Sequence, residues 1–182
     1  MRSLTVLLMS LTALIAGCSE RFEWRDVRSA DGYTVALPGR AQTMAREMEF
    51  DGQKFQLSMT STGIGPTLFA VGSARLPATL TADAAARDRT IAYFRDSLLR
   101  NIDGKVTHTA PAPLALAPSS RMAVLSAQEL RATGASNGRS STLAARFFII
   151  DDRFFEVIAL GADGGVAPEA LDTFFTSFRP QP

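Results

Sequence analysis

The stretch from residue 143 to residue 161 constrains the fold most. Two largely apolar runs, 143–150 and 153–161, are separated only by Asp151-Asp152. Strands joined by two residues pair as an antiparallel hairpin. Ile149 then lies opposite Phe154, and Phe148 opposite Phe155. Successive side chains of a strand point to opposite faces, and here each face is in part apolar. A sheet built on this hairpin therefore needs cover on both sides.

Two segments can supply that cover. Thr81 reads as a helix N-cap, with Asp83 in the first turn, where the helix dipole favours an acid. Ile91, Phe94, Leu98 and Ile102 follow at spacings of three and four. They form one apolar stripe on a helix of about six turns, which Gly104 ends near its C′ position. Farther on, Pro168 suits a first helical position, with Glu169 beside it. Leu171, Phe174, Phe175 and Phe178 make a second stripe.

The other strands read from alternation and turn chemistry. Residues 22–28 and 33–37 alternate around the turn Ser29-Ala30-Asp31-Gly32, and Pro38-Gly39 stops the second run. Asp51-Gly52 between 42–50 and 53–60 is a strong hairpin signal. Residues 61–66 read as a Gly-rich loop and 67–76 as a strand. The Pro-broken segment 105–118 predicts one or two edge strands. Residues 121–133 predict a strand that reverses at Asn137-Gly138. Strands thus flank one long helix, and a second helix closes the chain. This order predicts an α+β fold with a mainly antiparallel sheet, a long middle helix and a C-terminal helix. One helix on each face of the sheet makes a three-layer α-β-α arrangement.

The first residues have a different character. Met1-Arg2-Ser3 is short and positive, 4–15 is an apolar run too short to span a bilayer, and Ala16-Gly17-Cys18 follows. Leu14-Ile15-Ala16-Gly17-Cys18 resembles the bacterial lipobox, with Ile15 where Leu is more usual. The resemblance implies that the Cys18 sulfur receives a diacylglyceryl group, that the leader is cut before it, and that the new amine is acylated in many species. Each buried methylene of such chains adds about 0.8 kcal/mol, so two or three chains hold firmly. By analogy with enteric sorting rules, Ser19 directs the protein to the outer membrane. Residues 1–17 are thus expected to be a signal peptide, 18–21 a lipidated tether, and 22–180 a single domain.

Charge narrows the partners. Nineteen basic and 18 acidic side chains give +1. Without Arg2 of the leader the remainder balances at 18 against 18. A neutral, mixed surface offers no electrostatic footprint for nucleic acid and no polybasic stripe for anionic lipid. Cys18 is the one cysteine, so no intramolecular disulfide can form.

Catalytic constellations are sparse. His108 is the one histidine, so a multi-histidine metal site is impossible, and a Ser-His-Asp triad would have to use it. Its flanks, Thr107 and Thr109, read as an exposed strand. Asp151, Asp152 and Asp163 could form a glycosidase-type carboxylate pair, yet all three suit turns. Gly63 and Gly65, and the loop from Gly161 to Gly165, lack the P-loop and dinucleotide patterns. No cofactor is expected. Phe22 and Trp24 could touch lipid or pack inward. Phe148 and Phe155 share a face with Arg146 and Arg153. Left uncovered, these four would make an aromatic and basic partner patch; under a helix they are core.

The run DGYTVALPG (31–39), a DG hairpin, one long helix, an antiparallel meander and the terminal FFTSFR (174–179) together resemble the Mog1/PsbP-like fold of small bacterial lipoproteins. The resemblance covers most of residues 22–179 and implies a binding or assembly role. The expectation is a lipid-anchored, non-catalytic module on the periplasmic side of the envelope, bound to another envelope protein. Two alternatives are a small-ligand sensor with a pocket between sheet and helix, and a hydrolase pairing a Ser hydroxyl with His108.

Overall fold

A computed structural model describes residues 22–136, 138–162 and 165–182. Its elements follow in the order β1 (Trp24–Ser29), β2 (Tyr33–Pro38), β3 (Gln42–Phe50), β4 (Gln53–Ile64), β5 (Thr67–Arg75), α1 (Ala84–Asn101), β6 (Lys105–Pro111), β7 (Val124–Ser136), β8 (Arg139–Ile150), β9 (Arg153–Ala162), α2 (Pro168–Ser177) and β10 (Arg179–Pro180). A 3-10 turn at Ala78–Leu80 precedes α1. The class is α+β, mostly antiparallel sheet with two helices. Cys18 lies outside the described residues, as do the expected leader, 1–17, and the rest of the tether, 19–21.

Seven strands form one sheet in the order β3-β4-β5-β9-β8-β7-β6. The β8–β9 hairpin has the expected register, Ile149 opposite Phe154 and Phe148 opposite Phe155. Its side chains sort by face. Phe154 and Ile158 join the core cluster that contains Ile91 and Phe94 of α1. Phe155, Val157 and Ala159 join the one that contains Phe174 and Phe175 of α2. Phe94 stacks on Phe154 with centroids 4.0 Å apart. On the other face Phe174 meets Phe69 edge-on at 5.0 Å.

Helix α2 does not cover its face alone. β1, β2 and β10 form a separate three-stranded sheet. Tyr33, Val35 and Leu37 of β2 enter the same cluster as Phe174 and Phe175. β2 is apolar enough to be buried on both sides, with only Thr34 half-exposed among its six residues.

Three local expectations change. The loop expected at 61–66 is strand up to Ile64, and only Gly65 and Pro66 make the reversal. Thr62 is buried, and its hydroxyl donates to the Pro38 carbonyl at 2.8 Å. Packing thus overrides a loop-like composition. Second, α1 begins later than expected. Asp83, not Thr81, is the N-cap, its carboxylate accepting from the Ala86 amide at 2.8 Å; Thr81 closes the 3-10 turn. The helix has 18 residues, about five turns. Third, Asp103, not Gly104, takes the left-handed conformation at the helix end, with φ 45°. The Gly104 amide then reaches back to the Leu99 carbonyl at 2.8 Å, a Schellman closure.

The cap assignment is testable in the chain from residue 22 onward. Asp83→Ala is expected to cost about 1 kcal/mol of unfolding free energy. Thr81→Ala should stay within about 0.5 kcal/mol. Urea denaturation followed by circular dichroism checks both.

Candidate functional site

The turn from β1 to β2 sits where three strand ends converge. Gly32 has φ 79°, in the left-handed region, which glycine adopts freely. Its carbonyl accepts from the Arg153 guanidinium at 3.2 Å and from the Gln181 amide at 2.8 Å. Next to it, the Asp31 carboxylate accepts from the Ser73 hydroxyl at 2.9 Å. The turn is therefore stapled both to β5 and to the start of β9.

A polar cleft of about 600 Å³ opens beside these contacts. Its walls come from Asp31 in the turn, Gln56 and Ser58 of β4, Ser73 and Arg75 of β5, and Asp151, Asp152 and Arg153 around the β8–β9 turn. Arg75 and Asp152 form an ion pair that is exposed on both sides. The Asp151 carboxylate accepts from the Ala123 amide at 3.0 Å. Three carboxylates thus face two guanidinium groups, and each carboxylate already holds a donor from the chain. Such a wall presents donors and acceptors in alternation to whatever enters. A second, more apolar cavity of about 780 Å³ adjoins it, sharing Asp151 and Arg153 and walled by Leu116, Met122 and Pro180.

Two buried polar groups stand out. Tyr33 is fully buried, and among the described residues its hydroxyl has no partner in full hydrogen-bonding geometry, although the Thr60 and Ser29 hydroxyls lie nearby. Burial pushes its pKa up; Thr60 and Ser29 pull it down, and Asp31 raises it slightly. Its ring lies edge-on to Phe155 at 6.0 Å. Glu156, on the central strand β9, is only 3% exposed. It lies between Phe154 and Ile158, hence on the α1 side of the sheet. A Cβ placed on Gly72, its cross-strand neighbour, would come 2.5 Å from the Glu156 Cγ, so the Glu156 side chain lies directly over this glycine. Burial pushes the Glu156 carboxyl up to about 7, opposed by the Arg46 guanidinium. Glu156 lines neither cavity.

The residues singled out from sequence are dispersed. Phe148 and Phe155 are 1% and 0% exposed, so of the two readings, partner patch or core, these rings are core. The physical reason is the double cover from α2 and β2: Phe178 stacks on Phe148 at 5.7 Å. Arg146 pairs with Glu129 at 2.8 Å and lies over the Phe175 ring at 4.5 Å. Of the four, Arg153 and, at its floor, Phe155 line the cleft. Phe22 and Trp24 are half-buried, each packing against Phe69 at under 6 Å, at 5.7 and 5.6 Å. His108 is exposed on the edge strand β6, opposite Arg131. Asp151 and Asp152 make the β8–β9 turn, with Asp151 at φ 55°. Asp163 lies outside the described residues. Gly161 and Gly165 approach so closely that a Cβ on Gly161 would fall 2.6 Å from the Gly165 carbonyl carbon.

Sequence reasoning missed Asp31, Ser73 and Arg75 as one site, because the small sheet alone brings them together. It also missed Glu156, although one carboxylate inside the apolar run Phe154-Phe155-Glu156-Val157-Ile158 is a visible anomaly. Among the described residues, no group of three or more His, Cys, Asp or Glu is placed to hold a metal ion. No helix among them is long and apolar enough to cross a membrane.

Glu156 makes stability depend on pH. Between its ordinary value of 4.5 and about 7, the folded chain keeps a proton that the unfolded chain has released. Stability is therefore expected to fall as pH rises through that window and to level off above it. Glu156→Gln should abolish this slope and be more stable than the parent at pH 8, by on the order of 3 kcal/mol. Urea unfolding at pH 5 and pH 8 measures it. Tyr33→Phe removes a hydroxyl that, among the described residues, has no partner in full hydrogen-bonding geometry. It is expected to be neutral or stabilising by up to about 1 kcal/mol, read from the same titrations.

No protein-family model and no curated protein matches the chain. Among solved structures, it is similar to the crystal structure of a protein of unknown function from Pseudomonas aeruginosa. That match has a TM-score of 0.36 and 9% identity, over 81% of this chain and 85% of that one. A likeness this loose fixes neither fold nor function.

Proposed function

We propose that the chain is a lipid-anchored, non-catalytic envelope lipoprotein that acts as a protein-binding or assembly module. Acyl chains on Cys18 hold it at a membrane, on the periplasmic side. Ser19 favours the outer membrane. The observation that carries the binding role is the Asp31 cleft. Its charges are exposed and of both signs, as in Arg75–Asp152, so an incoming protein chain with complementary charges can be steered and oriented by them. A catalyst instead places a group that titrates near neutrality against its substrate. Glu156, the carboxyl that burial raises to about 7, sits on the opposite side of the sheet from the cleft-lining Phe155.

The same reading takes the fold as Mog1/PsbP-like, with a helix, a sheet and a helix in three layers. Two core clusters on opposite faces of β9, one with α1 and one with α2, support it. The small sheet is then an addition to the second layer.

A small-ligand carrier is the second reading. Stacked rings such as Phe94 on Phe154 fill the α1–sheet interface and leave little room for a pocket there. The cavity beside Leu116 and Met122 is the place for such a ligand. A hydrolase built on His108 has least support, because that side chain stands exposed on an edge strand.

Two experiments test the proposal in the native bacterium. Mass spectrometry of the protein from the membrane fraction is expected to find the N-terminus at an acylated Cys18, and Cys18→Ala is expected to keep the uncut leader; an unmodified Cys18 in the parent would remove the anchor. A photo-crosslinking residue at Gln56, in the cleft, should give one discrete protein adduct. The same residue at the exposed Asp88 of α1 should give none. Identical patterns from the two positions would sink the cleft as the binding surface.

A further inference from the structure

The anchor also determines which end of the domain meets the membrane. We infer that the end carrying the β4–β5 turn rests on the lipid surface and that the Asp31 cleft faces away from it. This rests on acylation of Cys18 as proposed above.

The tether is short. Only residues 19–21 separate Cys18 from Phe22. Four residue steps reach at most about 14 Å, whatever their conformation. The position of Phe22 therefore decides what lies near the acyl chains. Phe22 packs against Trp24 at 5.6 Å and against Phe69 at 5.7 Å. Phe69 pairs with Thr62, two residues before the end of β4. The next residue, Glu23, accepts at its carbonyl from the Gly39 amide at 2.8 Å. A Cβ on Gly39 would touch the Ile64 side chain at 3.4 Å. The chain thus enters the domain at the Ile64–Pro66 end.

That end has the surface a bilayer interface asks for. Leu68 is 38% exposed, Pro66 is exposed, and Ile64 is half-buried. Leu68, Pro66 and Leu160 border a shallow hollow of about 330 Å³. Within reach of the acyl chains, such an apolar rim gains by entering the headgroup boundary. Arg40, exposed just after Gly39, is placed for lipid phosphates.

The far end carries the polar Asp31 cleft, with the cavity of Leu116 and Met122 beside it. β9 runs from Ala162, whose amide donates to the Pro66 carbonyl at 3.1 Å, back to Arg153, which holds Gly32. Those nine steps span about 30 Å. The Asp31 cleft therefore stands about that far from the lipid surface, where a partner protein can approach it.

The test uses the full lipoprotein in phosphatidylethanolamine–phosphatidylglycerol vesicles. Single fluorophores are attached at Leu68→Cys, at Ser140→Cys near the same end, or at Lys54→Cys beside the Asp51-Gly52 turn. Brominated phospholipids serve as quenchers, and mass spectrometry reads the state of Cys18. With Cys18 acylated, quenching at 68 and 140 is expected to exceed that at 54 several-fold. Equal quenching at both ends overturns this inference alone. So does a spectral shift at 68 that ignores brominated lipid but follows protein density, since a second copy then covers the rim. An unacylated Cys18 overturns the anchor and this orientation together.

Discussion

Everything in the molecule is arranged around one register, that of β8 on β9. A two-residue turn leaves almost no freedom in how the strands align. A slip of one residue would carry every side chain of a strand to the other face. With the register as it stands, Phe147 and Phe154 point to one side, and Phe148 and Phe155 to the other. All four are at most 1% exposed. β5 then adds to the free side of β9, and β7 to the free side of β8. Each face acquires its own cover because each carries rings that water would otherwise wet.

The two covers are unlike. On one side a single long helix presents Ile91 and Phe94 to the sheet. On the other, a short helix and a small sheet divide the work. Where the small sheet stops, the ends of β4 and β5 remain open, and that step in the second layer is the cleft. The bonds across it join segments far apart in the chain: Asp31 to Ser73, Arg75 to Asp152, Arg153 to Gly32. The contacts that dock the small sheet therefore also make the polar surface through which the module is proposed to bind.

The group that burial moves toward neutrality is a carboxylate, Glu156. His108 stands in solvent on an edge strand. Glu156 is enclosed in the central strand, its side chain lying over Gly72. Desolvation of a carboxylate in such a place costs several kcal/mol unless it takes a proton. Its consequence is a pH-dependent stability, on the face of the sheet turned away from the cleft.

Much of this was legible residue by residue. Alternation and Asp-Gly or Asp-Asp turns placed the hairpins, since period-two patterning and turn chemistry act within a few residues. Spacings of three and four placed both helices, and the paired apolar faces of 143–161 demanded two covers. Local rules missed where a distant segment intervened. Ser61 and Thr62 look like loop residues until Pro38 bonds Thr62. Phe148 and Phe155 could have been surface or core until β2 and α2 closed over them. Asp31 and Arg75 are 44 residues apart and share a cleft only through the small sheet. The chain's own letters determined its elements, its central register and the motif proposed for its anchor, because these depend on neighbours in sequence. Tertiary structure alone decided which rings are hidden, which charges meet and where the cleft opens, because those depend on the layers that pack across the sheet.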